Sequence, residues 1–184
     1  MKTLVFYGSA RSNGRTREML DVFQTHYCGE MEVIRAYQTH VSPCRDCRYC
    51  LSHPQCCIKD AMLEIYQKIQ QADHLLFLAP IYFFGIPGPM KTMLDRLQCY
   101  WAAHVRGDKL PREQYQKTAA IILAGGAPCV EDQFTAALLE LRAAADDCNC
   151  TVVSEITMNN ADAAGIAQQP DIAEQICQLA RKFS

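Results

Sequence analysis

The sequence predicts an α/β fold in which a five-stranded parallel sheet is covered by helices on both faces, and three observations predict it. Strand-like apolar runs alternate with segments of helical spacing from end to end. The run Leu75-Leu76-Phe77-Leu78-Ala79 is apolar at every position, as a central strand buried on both faces must be. Glycine- and proline-rich turns follow three of the runs, at Gly8, Pro80 and Gly125, where a strand hands over to a helix. At 184 residues the chain is the size of one domain, read as 1–184, with no internal repeat or linker.

Taken in order, strands are expected at 3–7, 31–36, 74–80, 118–124 and 151–157. Helices are expected at 14–27, 60–71, 88–103, 130–146 and 171–183. Asp60 suits the cap of the second helix, and Pro89 suits the first turn of the third. Asp171 followed by Ile172, Ile176, Leu179 and Ala180 reads as a capped amphipathic closing helix. Two segments exceed a plain connection: 38–59, and the polar stretch 104–117, expected to be a surface loop.

The formal charge is only −2, and neither sign gathers into long runs, so nothing asks for nucleic acid or an acidic membrane surface. The longest uncharged stretch, 75–90, is interrupted by Pro80, Gly85, Pro87, Gly88 and Pro89, which a bilayer-spanning helix would not tolerate. Because the strand-like run begins right after Lys2, no secretory leader is expected, and the chain reads as cytoplasmic. Eleven cysteines are then expected as thiols or metal ligands rather than disulfides. Cys28, Cys99, Cys129, Cys148, Cys150 and Cys177 are scattered and read as small buried hydrophobes.

In a parallel sheet of this kind, ligands bind outside the carboxyl ends of the strands, so three loops should converge there. The first, Gly8-Ser-Ala-Arg-Ser-Asn-Gly-Arg-Thr16, offers hydroxyls, an amide and two arginines at a helix N-terminus, which suits a single phosphate. Its spacing is neither that of a dinucleotide fingerprint nor that of a phosphate-binding loop with lysine. The same residues also suit a plain turn capped by Ser and Asn. The second loop, Pro80-Ile-Tyr-Phe-Phe-Gly85, sets three consecutive aromatics beyond a buried strand and suits a flat heterocycle. The third, Ala124-Gly-Gly-Ala-Pro128, permits close approach by a planar ring but is equally an ordinary turn.

The five remaining cysteines are clustered. Cys44, Cys47, Cys50 and Cys56, with Cys57 beside them, place up to five thiols within fourteen residues, enough to ligate a [4Fe-4S] cluster or, less naturally, zinc on three cysteines plus Cys56 or His53. A metal-free loop has the same spacing. Arg45, Arg48 and Lys59 nearby are expected to lower the thiol pKa values. His26, His40, His53, His74 and His104 are dispersed without metal spacing, Tyr100 and Trp101 read as packing at a helix end, and Asn159 and Asn160 read as a turn.

Taken together, the three loops, the cysteine run followed by Asp60, and Asp95-Arg96 resemble the NAD(P)H-dependent FMN reductases of the flavodoxin-like superfamily over almost the whole chain. The cysteine run is similar to the compact motif of the iron-sulfur flavoproteins in the same superfamily. Ala10, Ala79 and Ala61 depart from the commoner residues at their positions without removing a main-chain donor. The resemblance implies a flavodoxin-like three-layer sandwich with strand order 2-1-3-4-5. It implies FMN phosphate on Ser9, Arg11, Asn13, Gly14, Arg15 and Thr16, with the ring bordered by Pro80, Ile81, Tyr82, Phe83, Phe84 and Gly85 and by Gly125 and Gly126. It also implies NAD(P)H as substrate, a ping-pong reduction of a small-molecule acceptor, and a homodimer. Hydride transfer to a flavin needs alignment more than a side-chain acid, so no catalytic residue is named. The alternative is an electron carrier with a [4Fe-4S] cluster on Cys44, Cys47, Cys50 and Cys56. A flavin-free binding module is the third reading.

Overall fold

In the computed structural model, residues 1–108 and 117–184 are described. Five strands, β1 (Lys2–Tyr7), β2 (Glu30–Arg35), β3 (His74–Pro80), β4 (Lys117–Ala124) and β5 (Cys150–Met158), form one sheet in the order β2-β1-β3-β4-β5. Every pairing is parallel. The chain therefore has the flavodoxin-like topology expected of it. Its strand order reverses direction at β1 and β3, which is where the carboxyl-end loops part to leave a crevice.

Burial follows this order. β3 is buried from His74 through Ala79, whereas the edge strand β2 buries only Ile34 and the edge strand β5 only Cys150, Ile156 and Met158. Side chains on β1 and β3 divide between two cores. Leu4, Phe6, Leu75 and Phe77 join Met62, Ile65, Met93 and Leu141 on one face; Val5, Tyr7, Leu76 and Leu78 join Leu20, Phe23, Ile176 and Phe183 on the other. Phe6 and Phe77 are register partners whose rings stack at 5.4 Å. Truncating any of these leucines to Ala is expected to cost about 2–5 kcal/mol.

Helices α1 (Arg15–His26) and α6 (Pro170–Phe183) cover one face. Helices α2 (Met62–Gln71), α3 (Gly88–Asp95), α4 (Gln98–Arg106) and α5 (Thr135–Asp147) cover the other. Three expectations need correction. The helix expected at 88–103 is two helices, because the Arg96 carbonyl accepts the Tyr66 hydroxyl at 2.6 Å, and the Tyr100 amide bonds instead to the Leu97 carbonyl at 2.7 Å. Tight bonds from Arg96 to Met93 and from Leu97 to Leu94 carry the chain through the break. The helix expected from 130 begins at Thr135, since Asp132 sits at φ 58°, outside helical space, and its carboxylate accepts the Thr135 hydroxyl at 2.9 Å. Asp171 lies in the first turn of α6 behind Pro170 and does not cap it.

Two further readings change. Of the six scattered cysteines, Cys99, Cys148, Cys150 and Cys177 are buried, but Cys28 and Cys129 are exposed. Of the stretch expected as a surface loop at 104–117, His104 to Arg106 complete α4 and Gly107 ends it in the left-handed conformation, while 109–116 lie outside the described residues. Among the described residues no helix is long and apolar enough to cross a membrane.

Candidate functional site

The three loops named above do converge at the carboxyl ends of β1, β3 and β4, around a cavity of 240 Å³. Ser9, Arg11, Gly14, Arg15 and Thr16 line it from the first loop, Pro80, Ile81 and Tyr82 from the second, and Ala124 and Gly126 from the third. Gly8 makes the turn tight: its amide bonds to the Leu78 carbonyl at 2.8 Å, and a β-carbon there would lie 2.8 Å from the Met90 sulfur and 2.9 Å from Ala79 Cβ. The Arg11 amide donates to Ser9 Oγ at 3.2 Å. Gly14 stands at the N-cap of α1 and no side chain caps that helix, which leaves its first amides to the cavity. Arg15 lines the cavity, yet its guanidinium is engaged, Nε with the Ala161 carbonyl at 3.0 Å and Nη1 with Glu18 at 2.6 Å. Arg11 is exposed and has no acidic partner among the described residues. Asn13 lies outside the cavity lining.

A second, apolar slot of 220 Å³ adjoins it and shares Ile81 and Gly126. Phe83, Phe84, Gly125, Ala127, Val130 and Gln133 complete its lining. The turn over it is unusual. Tyr82 and Gly85 exchange backbone bonds at 2.9 and 3.1 Å, and the two residues between them, Phe83 and Phe84, both have positive φ, 51° and 66°. Such a turn normally takes Gly, Asn or Asp. Here it spends backbone strain to hold two aromatic rings outward, Phe83 fully exposed and Phe84 about half. Gly85 closes the turn without lining either cavity.

Gly125 and Gly126 both line the apolar slot, and each also makes room for a side chain of this chain. A β-carbon on Gly125 would lie 1.6 Å from Gln133 Nε2, and one on Gly126 would lie 2.4 Å from Asp162 Oδ2. They admit neighbouring side chains of this chain to the cavity edge. Gln133 and Asp162 were not foreseen. Asp162 arrives because the turn after β5 zips onto the third loop: Asn160, Ala161 and Asp162 donate their amides to the carbonyls of Ala127, Gly125 and Gly126 at 2.7, 2.9 and 3.2 Å. Asn160 is in a turn as expected, at φ 56°. The available signal was topological, since the loop after every parallel strand opens on the same side of the sheet. Under the first loop the Tyr7 hydroxyl donates to the Arg11 carbonyl at 3.4 Å, and burial pushes its phenol up, partly offset by Ser9 and Arg35.

The cysteine segment forms a separate site. It lines a cavity of 270 Å³ with Cys44, Cys47, Cys50, Cys56, Cys57 and the buried Cys99, closed by Tyr49, Arg96 and the half-exposed Trp101. One clamp holds it. The buried Arg96 guanidinium donates to Asp60 at 2.8 and 3.2 Å, to the Ser42 carbonyl at 2.8 Å and to the Ile58 carbonyl at 3.3 Å. Asp60 also accepts the amides of Ser42 and Met62; the N-cap of α2 is Ala61, so Asp60 reaches the first helical amide from one residue before the cap position expected of it. Burial alone would raise its carboxyl, but Arg96 and the two amides hold it below the usual carboxylate range. The Arg106 guanidinium reaches the Cys50 carbonyl from α4.

The thiol pKa values are not set chiefly by the nearby basic residues. Cys47 is lowered by the Tyr49 amide and then by Cys57, with Arg45 contributing least. Burial raises Cys50, and the bond with Cys47 raises Cys57. Cys47 and Cys57 approach to 3.5 Å. Among the described residues no three Cys, His, Asp or Glu side chains are gathered as metal ligands, so the thiols share a cavity without forming a preassembled site.

The fold and these loops define a flavodoxin-like protein with a polar cavity and an apolar slot side by side at the switch point of its sheet. Residues 1–164 match the NADPH-dependent FMN reductase family, and the chain belongs to that family. It is 38% identical over 63 residues to an iron-sulfur flavoprotein of Archaeoglobus fulgidus, which covers 34% of this chain and 32% of that protein. The chain thus spans about a third of the length of that relative. To YwqN of Bacillus subtilis, provisionally described as an NAD(P)H-dependent FMN-containing oxidoreductase, it is 29% identical over 131 residues, 68% of this chain and 67% of YwqN. Its fold is similar to that of an NAD(P)H:quinone oxidoreductase from Methanothermobacter marburgensis, with TM-score 0.74 and 16% identity, over 100% of this chain and 96% of that one.

Proposed function

We propose that this chain binds FMN at the strand ends and acts as an NAD(P)H-dependent oxidoreductase whose acceptor is a flavin, a quinone or another small molecule. The observation that carries this reading is the junction of one polar cavity, at the start of α1, with one apolar slot through Ile81 and Gly126. A ligand with one phosphate, a flexible polyol and a flat ring fits that sequence of compartments. The residues present suit it: the uncapped start of α1 and Arg11, without an acidic partner among the described residues, face the anion, and Gln133 meets the ring compartment with no hydrogen-bond partner for its side-chain amide among the described residues. FMN, when bound, would accept hydride from NAD(P)H and pass the electrons to the acceptor. The chain's share is to hold the phosphate with Ser9, Arg11, Gly14 and Thr16, to border the ring with Ile81, Phe83, Phe84 and Val130, and to exclude water from β1, β3 and β4 beneath it. No side chain is needed to move a proton. The exposed rings of Phe83 and Phe84 beside the slot support a homodimer with that face inward. All eleven cysteines are free thiols, as suits a reducing cytoplasm.

The test is an absorption spectrum of anaerobically purified protein, with its iron content, followed by NADPH in the same cuvette. Flavin peaks that bleach within seconds support the reading, and a protein that neither carries nor takes up flavin contradicts it. The shared cavity of the cysteine segment favours a second reading, an electron carrier in which Cys44, Cys47, Cys50 and Cys56 hold a [4Fe-4S] cluster. About four irons per chain, lost on Cys47→Ser, with sluggish bleaching by NADPH, would favour it.

A further inference from the structure

Gln133 is buried to 7% exposure, and neither its Oε1 nor its Nε2 has a hydrogen-bond partner among the described residues. Only its backbone is anchored, the amide donating to the Val130 carbonyl at 3.2 Å. The side chain is pinned against Gly125, in a spot where any larger residue than glycine at 125 would collide with Nε2. It lines the apolar slot, and its companions there, Ile81, Phe83, Phe84 and Val130, offer it no polar side-chain group. A buried amide left this way carries the full desolvation cost of its donors and acceptor, and an apolar residue of the same size would be free of that cost. A ligand that supplies the missing partners accounts for its presence.

A primary amide offers an acceptor and a donor side by side. Its complement is a ring edge with an N–H next to a carbonyl, which is the imide edge of a flavin: N3–H between two carbonyl groups. The slot adjoins the polar cavity, so a phosphate held there and a ring held here belong to one molecule. We propose that Gln133 reads the imide edge of the bound flavin, Oε1 accepting from N3–H and Nε2 donating to the neighbouring carbonyl. This inference rests on the FMN reading above and assigns the residue that selects the heterocycle. Gln133 is a binding and orienting residue, and it takes no part in bond making.

The experiment compares FMN with N3-methyl FMN, which lacks the N–H, by fluorescence titration of flavin-free protein. Wild type is expected to bind FMN about tenfold more tightly than the methylated analogue, about 1.4 kcal/mol. In Gln133→Leu and in Gln133→Met, FMN is expected to weaken by about tenfold while the two flavins bind alike. Thermal melting of the same flavin-free variants is expected at or above the wild-type temperature, because the unmet amide is gone; a residue that merely supported the fold would lower it. Wild type that binds both flavins equally, or variants that keep the wild-type preference, would overturn the assignment while leaving the FMN site standing. Wild type that binds neither flavin would overturn both.

Discussion

The strand-end site and the cysteine site are held by different means. The first is assembled from the ends of β1, β3 and β4, whose residues are buried in two cores, and from four loops that bond to one another. Its shape is a by-product of the sheet. The second hangs on a segment of more than twenty residues between β2 and α2 whose only regular element is a single 3₁₀ turn, Tyr49–Leu51. Most of its side chains are exposed, and its principal tie to the body is the Arg96 clamp on Asp60 and on the carbonyls of Ser42 and Ile58. A site that inherits its geometry from a core tolerates local change, whereas a site hung on one buried cation does not.

Breaking the clamp should have the largest effect. Arg96→Ala leaves Asp60 without its cation and two carbonyls without a donor, at a cost of about 3–5 kcal/mol. Urea unfolding should show that loss, and limited proteolysis should cut first within 42–60 while FMN affinity changes little; equal loss at both sites would dissolve the contrast. The clamp is also pH-dependent. Because Asp60 is held below its unfolded value, its contribution is fully present above about pH 4 and is lost as pH falls through the depressed folded value. The stability gap between wild type and Asp60→Asn should therefore close on acidification.

Next in size, Gly126→Val drives a side chain into Asp162 at the junction of the two cavities. FMN affinity should fall by more than about tenfold, with overpacking of about 1–3 kcal/mol, while the reactivity of the exposed cysteines toward iodoacetamide stays as in wild type. The smallest effect is expected from Arg11→Ala. One charge-assisted contact should vanish, weakening FMN by about tenfold without weakening riboflavin, which has no phosphate.

The fold was legible because its signals are local. Five apolar runs set the strands, the all-apolar run 75–79 marked the centre of the sheet, and glycines and aromatics flagged the loops that converge. What escaped depends on distant partners. The break at Arg96 is set by a hydroxyl thirty residues earlier, on Tyr66. Arg15 lines the cavity, as its place in the loop suggests, but its bond to the Ala161 carbonyl from across the sheet has no local signal. Gln133 and Asp162 look like ordinary polar loop residues until Gly125 and Gly126 bring them to the cavity edge. The cysteine spacing was plain in the sequence, but a spacing does not fix where sulfurs point, and in the structure they line a wall without closing on a common centre.

In the proposed complex the 8–16 loop holds the phosphate of a flavin whose ring lies in the adjoining slot. Titrating flavin-free protein with FMN and with riboflavin in parallel tests it most directly. Binding of FMN at least about a hundredfold tighter than riboflavin is the result expected for a doubly charged phosphate at an open helix N-terminus beside an arginine. Equal affinity for the two, or affinity for neither, would contradict it.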